Sequence, residues 1–343
     1  MRRLSPRTLL ILLALLLPAA ALWSLTTGSV DVTFAGLGKI IAERLAGEGA
    51  SSHEGLIIFE IRLPRMLLAM MVGMVLASSG AIMQGLFRNP LADPSLIGVS
   101  SGASVGASLV IVAASSALQY SSAAGLTLVA LGAFGGGFLA TLVVYRLATS
   151  SVGTSVATML LAGIAISALA GAINSLLSYF ADNDMLRQIS LWQMGNLSTA
   201  SWLKVALIAA VTSILAVSFP RDGRALNAML LGESEARYLG VDVERVKTRL
   251  ILLTALGVGT SVAVAGLVAF VGLVVPHLVR LLIGPDHRPL IPCSALAGAL
   301  LMLIADNLAR TLAAPAELPT GVLTALLGAP FFVMLLVRQR VRL

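Results

Sequence analysis

Charge is scarce in this chain. Of 343 residues, 11% are Asp, Glu, Lys or Arg, against about a quarter in an ordinary soluble domain. That scarcity excludes a soluble globular protein. Cysteine is nearly missing too. Cys293 stands alone, which excludes an intrachain disulfide framework and a cysteine-rich metal site. Histidine occurs only as His53, His277 and His287, thin material for a histidine-dependent hydrolase. No G-x-x-x-x-G-K-[ST] occurs, so the chain has no phosphate-cradling loop of its own. Any ATP that drives it is bound by another subunit. The alternating ten-residue segments of a membrane β-barrel are missing as well.

What fills the chain is apolar: 58% of its residues are hydrophobic and the mean hydropathy is +0.96. Blocks of about 20 apolar residues, enough to cross hydrocarbon about 30 Å thick, recur along the whole length. The pattern predicts an all-α polytopic membrane protein with ten spans, near 9–25, 66–86, 96–114, 124–145, 156–178, 202–219, 250–270, 272–283, 291–311 and 320–337. The eighth is short and contains Pro276, so it reads as a half-helix buried against protein. The opening MRRLSPR and the apolar run after it imitate a signal peptide. That run is too long for one, and it reads as an uncleaved first span. The net charge of +7 reflects basic flanks of the spans and not a nucleic-acid partner. With the N-terminus inside, 16 of the 23 lysines and arginines fall on the cytoplasmic side, as the positive-inside rule requires. Both termini are then cytoplasmic.

The longest charged passage, Phe219 to Arg249, is also placed in the cytoplasm by that topology. Outside, residues 26–61 are polar and mixed, and residues 179–200 have room for a short surface helix with Trp192 and Trp202 in the interfacial belt. A faint repeat runs at an offset of 186: Gly73 with Gly259, Gly80 with Gly266, Pro90 with Pro276, and Leu96-Ile97-Gly98 with Leu282-Ile283-Gly284. Spans 2–5 would then repeat as spans 7–10 in opposite topology, a transporter signature.

Several motifs admit two readings. Arg62-Leu63-Pro64-Arg65 and Arg310 sit at outer span ends, either as snorkelling anchors or as a basic face for an acidic partner. Arg88 to Pro94 carries two prolines and an Asx residue, which fix a tight turn. Gly98-Val99-Ser100-Ser101-Gly102 matches the nucleophile-elbow pattern, but small residues for helix packing explain it better. The same reading covers Gly132, Gly135, Gly136 and Gly137. Asp306 lies in an apolar span, as an ion-coupling carboxylate or the i,i+4 partner of Arg310. His277 reads as a packing residue before a haem ligand, and the methionines of span two as adaptable filling.

Read together, RLPR (62–65), SGAIMQGLFRNPLADPSLIGVSSGA (79–103), LNAMLLGESEARYLGVDVERV (226–246), AGLVAFVGLVVPHLVRLLIGPDHRPLIP (265–292) and ADNLAR…ELPTGVLTALLGAPFF (305–332) resemble the permease subunits of type II ABC importers. These take up haem, ferric siderophores and cobalamin. The resemblance implies one transmembrane permease domain over 1–343, a bacterial inner-membrane location and pairing with a second copy of the permease in lipid. Two ATP-binding subunits, which carry ATP and Mg, would grip a coupling loop at 220–249 through Leu230, Leu231, Gly232, Glu233, Glu235, Ala236, Tyr238, Leu239 and Gly240. A short helix at 231–239, ended by Gly232 and Gly240, would form the knob. A periplasmic binding protein would dock on Arg62, Arg65 and Arg310, and Asn89 and Leu91 would belong to the cytoplasmic gate. The family's other gate positions, polar in some members, fall near Val156 and Ala157, which are not polar here. The closing blocks look most like haem importers, with haem as transported substrate and no cofactor or metal bound by this chain. A siderophore or cobalamin is the alternative cargo. An ion-coupled secondary transporter is the alternative of another class, and an intramembrane hydrolase built on Ser100 is a third.

Overall fold

A computed structural model describes residues 4–28, 32–45, 53–113, 123–151 and 153–340. Helices dominate: α1 (Pro6–Thr26), α2 (Phe34–Leu45), α3 (His53–Leu56), a π-helical turn (Ile57–Arg62), α4 (Leu63–Leu86), a 3-10 turn (Pro94–Ile97), α5 (Val99–Ala113) and α6 (Ala123–Ala148). A minimal hairpin of β1 (Thr149–Ser150) and β2 (Gly153–Thr154) follows. The chain continues as α7 (Val156–Phe180), α8 (Asn183–Gln193), α9 (Trp202–Arg221), α10 (Gly223–Met229), α11 (Glu233–Tyr238), α12 (Val243–Ala265), α13 (Val271–Ile283), α14 (His287–Thr311) and α15 (Thr320–Arg340).

Among the described residues, seven helices are long and apolar enough to cross a membrane: α1, the continuous run 53–86, α6, α7, α9, α12 and α14. The apolar helices α5, α13 and α15 are shorter. These ten match the ten predicted spans. Helix α13, with 13 residues, reaches only about 20 Å at 1.5 Å per residue and is mostly buried against protein, as its proline suggested. The second span differs from expectation. Its helix begins at His53, because the π turn carries the chain into Pro64 without a break. Ahead of Pro64 the Leu63 N–H reaches back to the Ile58 carbonyl, the i→i−5 pattern of a π turn.

Polar residues set the helix starts. Ser5, Ser155, Asp182, Ser201, Asp242 and Asp286 each accept a backbone N–H from the first turn that follows, satisfying donors the helix cannot. Small residues set the packing. A side chain at Gly73 would overlap the backbone of Gly298 on α14, and one at Gly80 would overlap Gly272 on α13. Gly102 and Gly106 of α5 interlock likewise with Gly132 and Gly136 of α6, and Gly137 lies on Val99. Backbones approach closely where Cβ atoms are missing. Gly135 departs from the expectation: it faces open space.

The packing repeats itself. Helix α4 lies on α14 and α13, and α12 lies on α6 and α5. The trio α5, α6, α7 matches the trio α13, α14, α15, while α4 and α12 meet each other. Exchanging α4–α7 with α12–α15 thus maps one set of contacts onto the other, as an inverted repeat demands. The offset of 186 is not its register, however. It sets Leu96–Gly98, before α5, on Leu282–Gly284, after α13.

One large core joins residues from Leu9 on α1 to Met302 on α14. Leu4 donates its N–H to the Leu282 carbonyl at the end of α13, and α15 starts beside Asp306 at the opposite end. The start of α1 and the far end of α15 therefore lie toward the face that carries α10 and α11.

Candidate functional site

Polar chemistry concentrates at the two ends of the helix bundle. At one end, Arg62 and Arg65 flank the junction of the π turn with α4, and Asp306, Asn307 and Arg310 occupy the last turns of α14. Asp306 is fully buried. Its carboxylate takes the Arg65 Nε at 3.0 Å, the Arg310 Nε at 3.5 Å and the Thr320 hydroxyl at 3.3 Å. Arg65 also meets Glu317 through Nη1 at 2.8 Å. Arg310 donates to the Ser24 carbonyl and hydroxyl at 3.1 Å each and to Asn307. Arg62 donates to the Leu25 carbonyl at 2.6 Å.

These are the three arginines expected to present a basic docking face to an acidic partner. They are 4%, 4% and 9% exposed, each turned inward onto carbonyls or carboxylates. The physical reason is Asp306: a buried carboxylate is tolerable only when it is paired and hydrogen-bonded, and Arg65 and Arg310 supply that. The i,i+4 pairing of Asp306 with Arg310 is present, but Arg65, from a different helix, is the nearer partner. Glu317, on the connection between α14 and α15, is the half-exposed member of the network.

The other end carries the charged segment 219–249, where the coupling loop is expected. Asp222 ends α9 and pairs with Arg249 of α12; burial pushes its carboxyl upward and Arg249 offsets that. Helix α10 is tied to α14. Asn227 Oδ1 accepts the His287 backbone N–H at 2.9 Å and lies 3.0 Å from His287 Nδ1, while Asn227 Nδ2 donates to Asp286 at 2.6 Å. Arg288 holds the Asp286 carboxyl well below the usual carboxylate range. His287 is buried, with Nε2 against Gly85 at the end of α4.

Helix α11 then starts at Gly232 (φ 132) and ends before Gly240 (φ 83), as the two glycines predicted. Its underside is polar and tied, and its tip is apolar and open. Ala236 is fully buried and Glu233 faces Lys247. Leu230, Leu231 and Leu239 are exposed, and Tyr238 reaches 91% exposure; Glu235 is exposed as well. An apolar tip on an anchored short helix has the make-up of a contact point, since aromatic and aliphatic anchors carry most interface energy.

The predicted gate turn lies at this same end. Asn89 Oδ1 accepts the Leu91 N–H at 2.9 Å and Arg88 takes φ 48, so the turn is tight, as its Asx residue and prolines required. Burial raises the Asp93 carboxyl, which caps Ser95 at 2.8 Å. The following Leu96 carbonyl lies over Gly163 of α7. Val156 and Ala157, at the start of α7, are not part of the turn. His277 is buried and has the Pro90 carbonyl as a partner. Ser101 bonds Ser167 at 2.8 Å, so the G-x-S-x-G stretch serves the packing of α5 on α7.

Sequence reasoning missed Glu317, Asp222, Asn227, His287 and Lys247. The Glu244–Lys247 spacing on one helix face was the single local signal. The remaining pairings join residues far apart in the chain.

Ten apolar helices, eight of them in two inverted sets of four, with an anchored short helix exposed at one end, define a multi-pass membrane transport subunit. The chain belongs to the FecCD transport family, whose model matches residues 14–338. It is 46% identical over 340 residues to the hemin transport system permease protein HmuU of Yersinia pestis, covering 98% of each chain. It is 42% identical over 294 residues to the cobalamin import system permease protein BtuC of Halobacterium salinarum, covering 86% of this chain and 77% of that one. A solved metal-chelate type ABC transporter in an inward-facing conformation matches with a TM-score of 0.84 at 34% identity, covering 97% of this chain and 99% of that one.

Proposed function

We propose that the chain is the membrane permease of an ATP-driven, binding-protein-dependent importer that carries haem from periplasm to cytoplasm across a bacterial inner membrane. The observation that carries the cargo is the 46% identity over 98% of both chains to a hemin permease. The 42% identity to a cobalamin permease keeps cobalamin as the second reading, with ferric siderophores beside it. Two copies of the chain pair around the pathway, and two ATP-binding subunits, carrying ATP and Mg, dock on the face of α10 and α11. That face is cytoplasmic, with both termini. The open tip of Leu231, Tyr238 and Leu239 supports the docking. It offers a partner apolar contact at little cost to the fold beneath.

The periplasmic binding protein docks at the opposite end, over Arg62, Arg65 and Arg310. Because these side chains are buried, the half-exposed Glu317 beside Arg65 is the first group an acidic partner displaces. The gate turn with Asn89 and Leu91 closes the cytoplasmic end.

Reconstitution tests the reading. The permease with its ATP-binding subunits and binding protein, in proteoliposomes, is expected to accumulate haem only with ATP present. Uptake driven by an ion gradient without ATP overturns it. Preferential ATP-dependent uptake of cobalamin moves the cargo to the second reading.

A further inference from the structure

Lys247 lies on the second turn of α12 and is 1% exposed. A buried ammonium is costly unless paired, and here three groups hold it. Glu233 Oε2 on α11 lies at 2.6 Å, the Thr154 carbonyl at 2.9 Å and Glu244 Oε1 at 3.4 Å. Glu244 closes the ring by accepting the Thr154 N–H through its other oxygen at 2.9 Å. It also meets Arg237 of α11 at 3.5 Å. Three segments that are distant in sequence thus share one polar node: the coupling helix, the start of α12 and the hairpin 149–154.

The hairpin is the lead-in to α7. Thr154 is followed by Ser155, whose hydroxyl caps that helix on Thr158 N–H at 3.3 Å. Helix α7 is among the least embedded spans of the chain, with 17% of its central window buried and Leu161, Ile164, Leu169 and Leu176 turned outward. Its Gly163 receives the Leu96 carbonyl from the segment after the gate turn. Displacing α7 therefore displaces what rests on that turn. Gly153, at φ 122, leaves the space that Glu244 occupies, since a Cβ there would stand 2.7 Å from Glu244 Oε1.

We infer that Lys247 is a positioning residue that locks α11 to the hairpin 149–154, so that a movement imposed on the coupling helix is delivered to the first turn of α7. The inference rests on the reading that α11 receives the ATP-binding subunit. Breaking a buried ion pair by removing one partner is far costlier than shifting the whole node. The node therefore moves as a body and hands the motion on.

The test uses the reconstituted complex with Cys293→Ser, which removes the only native cysteine. Spin labels go on Ser234 of α11 and Ser151 of the hairpin, both exposed. With Lys247 intact, the label distance is expected to stay the same in the nucleotide-free and ATP-bound states. In Lys247→Met the distance is expected to differ between the states. Substrate moved per ATP hydrolysed then falls about tenfold, a coupling loss of ordinary allosteric size, while the ATP-binding subunit stays associated. Lys247→Arg is expected to restore most of the yield. Glu244→Gln, which keeps volume, loosens the same node by a smaller step and serves if Lys247→Met does not fold. Normal transport per ATP in the folded variant overturns the relay, as does a label distance that already changes with Lys247 intact. Failure of the unaltered chain to bind the ATP-binding subunit overturns the docking reading together with the relay.

Discussion

The two ends of this bundle use charge in opposite ways. At the arginine end, charge is turned inward: Asp306 is fully buried, and Arg65 and Arg310 converge on it from two helices. At the end that carries α10 and α11, charge lies beneath a surface whose tip is apolar. Lys247, Asn227 and Asp222 tie α10 and α11 to the bundle, and Leu231, Tyr238 and Leu239 stand free. The first arrangement fixes the mouth of the bundle. The second leaves an exposed apolar surface on a short helix that is tied from beneath. The difference predicts which substitutions unfold the chain and which, on the proposed docking of the ATP-binding subunits, silence it.

The comparison breaks most visibly at Asp306. Asp306→Ala leaves two buried guanidinium groups short of a carboxylate, and thermal unfolding in detergent is expected to show a loss of about 3–5 kcal/mol. Tyr238→Ala, by contrast, is expected to stay within about 0.5 kcal/mol of the parent chain. Equal losses from both would erase the distinction between the ends.

Asn227→Ala comes next. It strips the buried His287 of the acceptor for its backbone N–H and leaves Asp286 without Asn227. A cost of about 1–3 kcal/mol is expected for buried groups left unsatisfied. Protease cleavage within 219–249 is expected to quicken at the same time, because α10 loses its hold on α14. Unchanged cleavage would show that the remaining ties suffice.

The smallest effect belongs to Glu317. Its side chain is 45% exposed, so Glu317→Gln is expected to change stability by about 0–1 kcal/mol. Its consequence is for docking: with Arg65 freed on its exposed side, titration with the binding protein is expected to show tighter association at low salt, with the gain fading as salt is added. Weaker association would make Glu317 part of the docking face itself.

The spans were legible in the sequence because each is a local pattern: an apolar run closed by a cap, a glycine or a proline. Ten apolar blocks became ten apolar helices, and the Gly232 and Gly240 boundaries of α11 followed from two residues that take positive φ. The inverted repeat was legible as a pattern of spans but not as a register, since glycines recur wherever helices pack closely. What could not be read were pairings between distant segments. Asp306 has an evident partner four residues on, yet its nearer partner, Arg65, is 241 positions away. Lys247 reads as one more basic residue in a charged loop until Glu233 and Thr154 are brought to it. The arginines of RLPR look like surface charge for the same reason: their acceptors lie on α14 and at the end of α1.

The apolar tip of α11 decides whether this face receives the ATP-binding subunits. Leu239→Glu places a charge on the exposed end of α11 without touching the ties beneath. In proteoliposomes with the ATP-binding subunits and the binding protein, the variant is expected to fold and bind the binding protein as the parent does, while its hold on the ATP-binding subunits and its ATP-driven uptake collapse. Full ATP-driven uptake by Leu239→Glu would contradict the account.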